Sequence, residues 1–247
     1  MDNIIENISK GPGYYQYDGL VKKDLKKVYQ YVESKFLNHL NKLSPQNIDT
    51  FKKYGMRKYH LNSHLIDHKS SWPRKSRLFD EDGINLIKET NLISNLKKTF
   101  KKIAITNEIE NDKPEIVWRI VRPNMENDVG PIHTDGWFWE ANNWHIPKNK
   151  TCIKVWIMLD GETKNSGLSV IPFTHKKLDW DYSFEKRDGI QKPNFDYKKY
   201  DLKPQILKTS PGSAVIFSYN LLHGGAITRG DLCRISLEFT LFTPKSN

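Results

Sequence analysis

Five residues in the second half of the chain have types and spacings that could hold a metal ion and an anionic ligand together. His133-Thr134-Asp135 follows the turn-forming pair Gly130-Pro131. On an extended strand, residues separated by one point to the same side, so the imidazole of His133 and the carboxylate of Asp135 can converge on one cation. His223, in Leu221-Leu222-His223-Gly224-Gly225 at the end of an expected strand, would add a second imidazole. Two histidines and one carboxylate occupy one face of a metal and leave its other positions open for exogenous ligands and O2. Arg234 and Ser236 lie on the last long strand pattern, where alternation turns both inward while Cys233, Ile235, Leu237 and Phe239 face the other way. An arginine inside a barrel needs an anion. A dicarboxylate chelating the metal at one end would offer its far carboxylate to the guanidinium fork, with the serine hydroxyl as second donor.

The elements that must position these groups fall into two halves. In the first hundred or so residues, Val21, Leu25, Val28, Val32, Phe36, Leu40 and Leu43 step by three or four, which predicts a long amphipathic helix with Asp18 as its N-cap. Further helices are expected from Ser44-Pro45, over Glu81–Glu89 and over Leu92–Ile103. From about Pro114 the pattern becomes short β-type runs: Ile116–Val121, Ile153–Leu159, Leu168–Ile171, Gln205–Lys208, Ala214–Ser218 and Leu232–Phe242. Without βαβ alternation these favour a sandwich, so the expected fold is mainly β with flanking α: a double-stranded β-helix, or jelly roll, with N-terminal supporting helices. The reading is one domain over 1–247, with helical support over 1–115, a core over 116–243 and a lid-like insertion at about 176–204.

Composition narrows the class. The chain has 247 residues, 37% of them hydrophobic, and carries a net charge of +10. No apolar run approaches the roughly 20 residues that span a bilayer, and no membrane association is expected. The N-terminus lacks a basic segment followed by an apolar one, so a cytoplasmic location is expected. Cys152 and Cys233 sit singly in apolar stretches and read as buried free thiols. The lysines are scattered along helix faces without a nucleic-acid-binding motif, so no nucleic-acid partner is expected.

The stretch from about Ile116 to Phe242 resembles the Fe(II)/2-oxoglutarate-dependent oxygenases, in particular the phytanoyl-CoA dioxygenase-like branch that includes ectoine hydroxylase. His133-Thr134-Asp135-Gly136-Trp137 is similar to that branch's metal motif. Trp156-Ile157-Met158-Leu159-Asp160, the run Asn165 to Lys176, Pro211 to Phe217, His223-Gly224 and Arg234 complete the pattern. The resemblance implies that His133, Asp135 and His223 bind Fe(II), and that Arg234 and Ser236 hold the distal carboxylate of 2-oxoglutarate. Trp156 would line the cosubstrate pocket. It further implies consumption of 2-oxoglutarate and O2 with release of succinate and CO2, and the metal carboxylate favours hydroxylation over halogenation. Phe173 stands where the branch usually has the glycine of a Pro-Gly-Ser/Thr-His turn.

Trp137, Trp139, His175 and Lys154 are candidates for contact with substrate. The tryptophans could form an aromatic wall, His175 matches a histidine at the active-site rim, and Lys154 shares the strand parity of Trp156 and could meet an anion. The expected substrate is a small molecule or conjugate, anionic or sugar-like, and nothing in the sequence sets the oligomeric state. Two other readings stand beside this one: a non-oxygenase metal-binding jelly roll (an isomerase or sensor), and an oxygenase acting on nucleic acid. The clamp of Arg234 and Ser236 argues against the isomerase, which has no use for a dicarboxylate site.

Overall fold

The computed structural model describes residues 2–106, 113–162, 166–187 and 190–245; Met1, Asn165 and the Asp188-Gly189 pair of the expected lid lie outside them. In chain order the first elements are α1 (Asp2–Ser9), β1 (Tyr14–Tyr17), α2 (Lys22–Leu43), α3 (Ile48–Tyr54), α4 (His68–Ser71), α5 (Glu81–Lys88) and α6 (Asn91–Phe100). Next come β2 (Ala104–Thr106), β3 (Ile116–Val121), α7 (Asp135–Ala141), β4 (Lys150–Asp160), β5 (Leu168–Val170), β6 (Ser183–Arg187) and β7 (Ile190–Asn194). The chain closes with β8 (Gln205–Ile206), β9 (Ala214–Ser218), β10 (His223–Gly225) and β11 (Arg234–Pro244).

The long helix forms as its spacing predicts, with Val28, Val32, Phe36 and Leu40 buried along one stripe. The ends of the stripe stay outside the core: Val21 is 50% and Leu43 45% exposed. Asp18 does not cap the helix; Val21 occupies the N-cap position with no side-chain hydrogen bond. Asp24 in the first turn instead accepts a bond of 2.8 Å from the Asn91 backbone N–H, tying α2 to the start of α6. Pro45 opens a 3-10 turn that leads into α3.

The main sheet has the order β1-β9-β4-β11-β2, with β3 also paired to β11. A smaller sheet, β10-β5-β8, faces it. Strand alternation divides the side chains of the main sheet. Ile153, Val155 and Ile157 of β4, Ile216 of β9 and Ile235, Leu237, Phe239 and Leu241 of β11 turn outward into one core with the stripe of α2 and with Ile87, Leu92 and Leu96. The opposite parity, Trp156, Met158, Val215 and Phe217, packs inward on Leu168 and Val170 of the smaller sheet. Each apolar side chain so buried stabilises the fold by about 1.5–3 kcal/mol. The outer face of the main sheet therefore needs its helices, and the interior needs both sheets. This is the jelly roll expected, but the helices are extensive enough that the chain is a mixed sheet-and-helix molecule.

Three local features differ from the expectation. Asp135 does not lie on a strand: it is the first residue of α7, with Thr134 as N-cap accepting from the Trp137 backbone N–H. His223 begins a strand rather than ending one, paired with Val170. The expected lid holds a β6–β7 hairpin and a 3-10 turn at Tyr197–Tyr200. The Phe173 position explains the usual glycine there, because its φ is +67°, in the left-handed region that disfavours a bulky side chain. That side chain is 58% exposed, so the turn keeps its shape with the phenyl ring in solvent.

Candidate metal centre

His133 and His223 are joined by a pair of backbone hydrogen bonds, each amide N–H donating to the other's carbonyl at 2.9 Å. This pairing extends the smaller sheet and sets the two rings 4.6 Å apart, centroid to centroid. Each ring is oriented by its own neighbourhood. His133 Nδ1 meets the Pro131 carbonyl at 2.8 Å and His223 Nδ1 meets the Leu221 carbonyl at 3.0 Å. A carbonyl only accepts, so Nδ1 carries the proton in both rings and Nε2 keeps its lone pair.

Asp135 completes the group. Starting the helix at Asp135, behind the Thr134 cap, turns its side chain inward, and its Oδ2 lies 3.6 Å from His223 Nε2. One donor atom from each of His133, Asp135 and His223 lies within 4.8 Å of the others. Asp135 Oδ2 is buried and has no hydrogen-bond partner among the described residues. A buried, unpartnered carboxylate oxygen beside two aligned imidazole lone pairs is costly unless a cation fills the space. Burial pulls the His133 pKa down to about 4, helped by His223 and opposed by Asp135, so the ring is neutral at pH 7. For Asp135 burial acts upward, but Lys154, His223 and His133 together hold it below the usual carboxylate value. His133 and Asp135 are thus in the protonation states a divalent metal requires.

A second unsatisfied cluster lies deeper in the barrel. Arg234 is 2% exposed, and its Nη1 donates to the carbonyls of Gly167 at 2.6 Å and Ala226 at 2.7 Å. Burial draws its pKa down to about 10, which leaves it charged at neutral pH. Its Nε and the hydroxyl of Ser236 are buried without hydrogen-bond partners among the described residues. The Trp156 ring stands 5.9 Å from the guanidinium carbon. Two orphaned donors, one charged, beside a flat apolar wall suit a carboxylate on a short apolar chain. Close approach shapes this pocket: a Cβ on Gly225 would come within 3.0 Å of Val129 and 3.4 Å of Arg234 Nη2.

The four substrate candidates go to different places. Successive residues of a helix turn by about 100°, so Asp135 and Trp139 share one face of α7 while Trp137 and Glu140 take the other. Trp139 packs inside against Cys152 and Phe242. Trp137 stacks on Tyr182 of the insertion at 4.2 Å and meets Phe195. A cavity of about 210 Å³ lies on that outer side, lined among others by Thr134, Gly136, Trp137, Glu140, Trp180 and Asn220. The structure does not bring His175 into this group. Its Nε2 faces the Ser9 carbonyl at 3.2 Å, and Gly13 packs against its ring so closely that a Cβ there would lie 2.5 Å from Nδ1. Lys154 does point inward, but the anion it meets belongs to the protein: Nζ is 2.9 Å from Thr240 Oγ1 and 3.6 Å from Asp135 Oδ1.

Glu238 and Arg119 escaped the sequence reading. Glu238 shares the inward parity of Arg234 and Ser236 on β11, and that alternation is the signal that could have found it. Arg119 Nη2 donates to it at 2.5 Å and Nε at 3.1 Å. Burial pushes the Glu238 carboxyl up, but Arg119 and Lys154 together hold it far below the usual range.

A jelly roll with two histidines and a carboxylate on one face of an interior site defines a mononuclear metalloenzyme of the facial-triad class. Within that class the sequence profile of phytanoyl-CoA dioxygenase (PhyH) matches residues 43–235, and the chain belongs to that family. The match begins inside the helical half, upstream of the stretch whose motifs are legible in the sequence. Fe(II), 2-oxoglutarate and O2 are accordingly its cofactor and cosubstrates, and the donor set described above fits them. No curated protein matches the chain. Among solved structures, AviO1 from Streptomyces viridochromogenes Tue57 is similar at 11% identity and TM-score 0.56, over 100% of this chain and 96% of that one. A non-heme monooxygenase, ThoJ, is similar at 9% identity and TM-score 0.56, over 95% and 77% of the two chains. SnoN, a non-heme alpha ketoglutarate dependent epimerase from nogalamycin biosynthesis, is similar at 11% identity and TM-score 0.53, over 98% and 82%. At these identities the likeness is one of fold.

Proposed function

We propose that the whole chain is one oxygenase unit that hydroxylates a C–H bond of a small molecule. His133 Nε2, His223 Nε2 and Asp135 Oδ2 hold Fe(II) in this reading, and Arg234 with Ser236 holds the distal carboxylate of 2-oxoglutarate against Trp156. The observation that carries it is the coincidence in one barrel of two buried clusters without hydrogen-bond partners among the described residues: Asp135 Oδ2 at the triad, and Arg234 Nε with Ser236 Oγ on the inward-facing side of β11. A metal-binding isomerase accounts for the first cluster and leaves the second a pure cost.

Iron with its cosubstrate supplies the oxidising power: one O2 is consumed, 2-oxoglutarate becomes succinate and CO2, and the substrate C–H becomes C–OH. The protein's residues position and exclude. The histidine Nδ1 bonds fix which nitrogen faces the metal, and the Arg234 clamp sets the cosubstrate's direction. The inward apolar side chains of both sheets keep water from the site. The substrate is proposed to enter between α7 and the 176–204 insertion, where Trp137 and Tyr182 offer rings and Glu140 and Lys177 offer charges. The cavity there, about 210 Å³, is small against the roughly 300–1,000 Å³ of typical ligand sites and suits a small anionic or sugar-like substrate. That SnoN serves nogalamycin biosynthesis adds support for a small-molecule substrate. Its being an epimerase gives a second reading, in which hydrogen is removed and returned without oxygen insertion.

The test is anaerobic reconstitution with Fe(II) and 2-oxoglutarate, followed by oxygen, a panel of metabolites and measurement of succinate. Succinate is expected from wild type, and none from His133→Ala, Asp135→Ala or His223→Ala while circular dichroism shows each folded. Full turnover in any one variant would remove that residue from the ligand set.

A further inference from the structure

Lys154 is a lysine where a lysine is expensive: its side chain is 9% exposed, in the interior of the barrel. A lysine side chain ordinarily carries its charged end to solvent. This one is turned the other way and fixed at both sides, by Thr240 Oγ1 directly across the β4–β11 pairing and by the Asp135 carboxylate. The carboxylate's two oxygens are thereby divided. Oδ1 lies 3.6 Å from Lys154 Nζ, and Oδ2 lies 3.6 Å from His223 Nε2 with no hydrogen-bond partner among the described residues.

We propose that Lys154 is a positioning residue that claims Asp135 Oδ1, so that Asp135 offers the metal one oxygen rather than two. This rests on the oxygenase reading and deepens it. Carboxylates bind cations through one or both oxygens, and with both free the chelating mode is open. The choice matters because an octahedral ion has six positions. Three single-atom protein donors leave three, which is the number needed for a chelating 2-oxo acid and O2. A chelating Asp135 leaves two, and cosubstrate and O2 then compete. Lys154 also acts on Glu238, the second inward carboxylate of the barrel, which Arg119 holds from its other side. The ammonium is engaged by protein groups, Thr240 Oγ1 at 2.9 Å and the Asp135 carboxylate at 3.6 Å, so a substrate anion is not needed to explain it.

The experiment uses Co(II) as a spectroscopic probe in the full chain, comparing wild type, Lys154→Met and Thr240→Val. Methionine keeps the length of the side chain and removes charge and donors; valine leaves the ammonium and removes its anchor. Lys154→Met is expected to bind Co(II) at least as tightly as wild type, since a nearby positive charge is gone. Its Co(II) absorption spectrum should shift, and calorimetry should show 2-oxoglutarate binding to the Co(II) protein weakened tenfold or more. Thr240→Val should change both in the same direction by a smaller factor. A folded Lys154→Met protein with the wild-type spectrum and wild-type 2-oxoglutarate affinity overturns the proposal. If Lys154→Met does not fold, wild-type values in Thr240→Val overturn it. Should wild type itself bind neither Co(II) nor 2-oxoglutarate, the oxygenase reading fails first and this inference with it, a result distinct from either variant outcome.

Discussion

At the scale of single residues, the site is a set of groups whose local partners fix their chemical state. The two Nδ1–carbonyl contacts decide the tautomers, and burial decides the protonation of His133. In the metal-free chain this has a consequence for stability. The folded pKa of His133, about 4, lies below the roughly 6.5 of an unfolded histidine, so between those values the unfolded chain binds more protons. Its contribution is therefore complete above about pH 6.5 and is lost as pH falls toward 4. Urea midpoints of the metal-free protein should decline across that window, and His133→Gln should flatten the decline. Arg234 makes a second prediction. Hydrogen bonds to charged groups are worth about 1.5–3 kcal/mol. Arg234→Lys loses the fork, so 2-oxoglutarate affinity measured by calorimetry should fall about ten- to a hundredfold while metal binding is unchanged.

At the scale of elements, the placement of Asp135 depends on where a helix begins. Thr134 caps α7, and the first helical residue is the proposed ligand. The loop before it is tied down separately: Arg122 holds Asp128 through Nε at 2.9 Å and Nη2 at 2.8 Å, and His68 of α4 stands 3.4 Å from the same carboxylate. The helical half thus reaches the loop before the metal motif through the half-buried His68 imidazole beside the Arg122–Asp128 pair as well as through packing. Thr134→Val keeps the shape of the cap residue and removes its acceptor. It should cost about 1 kcal/mol in denaturant unfolding. It should also weaken Co(II) binding, because fraying of the first turn releases Asp135. Unaltered metal affinity at reduced stability would show that the ligand is held by Lys154 and the sheet alone.

At the scale of the molecule, the helices are the outer wall of the main sheet. Phe36 is completely buried and stacks on Trp72 with rings 5.5 Å apart and 3° from parallel. Phe36→Ala should lower unfolding free energy by about 3–5 kcal/mol. The remaining folded protein should bind 2-oxoglutarate normally, since Phe36 touches the sheet from the side opposite the site. The net charge of +10 is carried in part by exposed faces: Lys22, Lys23, Lys26 and Lys27 of α2 and Lys97 and Lys98 of α6 all face solvent. Among the described residues, no helix is long and apolar enough to cross a membrane.

What could be read from the chain alone was what depends on residue type and short-range periodicity. The helix stripe of α2 and the strand parity of β4 and β11 were legible because 3.6- and 2-residue periods fix which side chains share a face, whereas His133, Asp135 and His223 stood out by residue type, the strand expected to align the first two being replaced by the start of a helix. The inward direction of Arg234 and Ser236 followed from the same rule, and that of Lys154 from its parity with Trp156, whose place the family resemblance implied. Tertiary structure decided who meets whom across that interior. Asp135 reaches His223 from a helix rather than a strand, because a cap at Thr134 outweighs the extended pattern around it. His175 is drawn to the N-terminal segment, Trp137 and Trp139 part to opposite faces of α7, and Lys154 finds Asp135 instead of a ligand. Each of these depends on a neighbour brought close by sheet register or packing, and such long-range pairings leave no mark in local spacing.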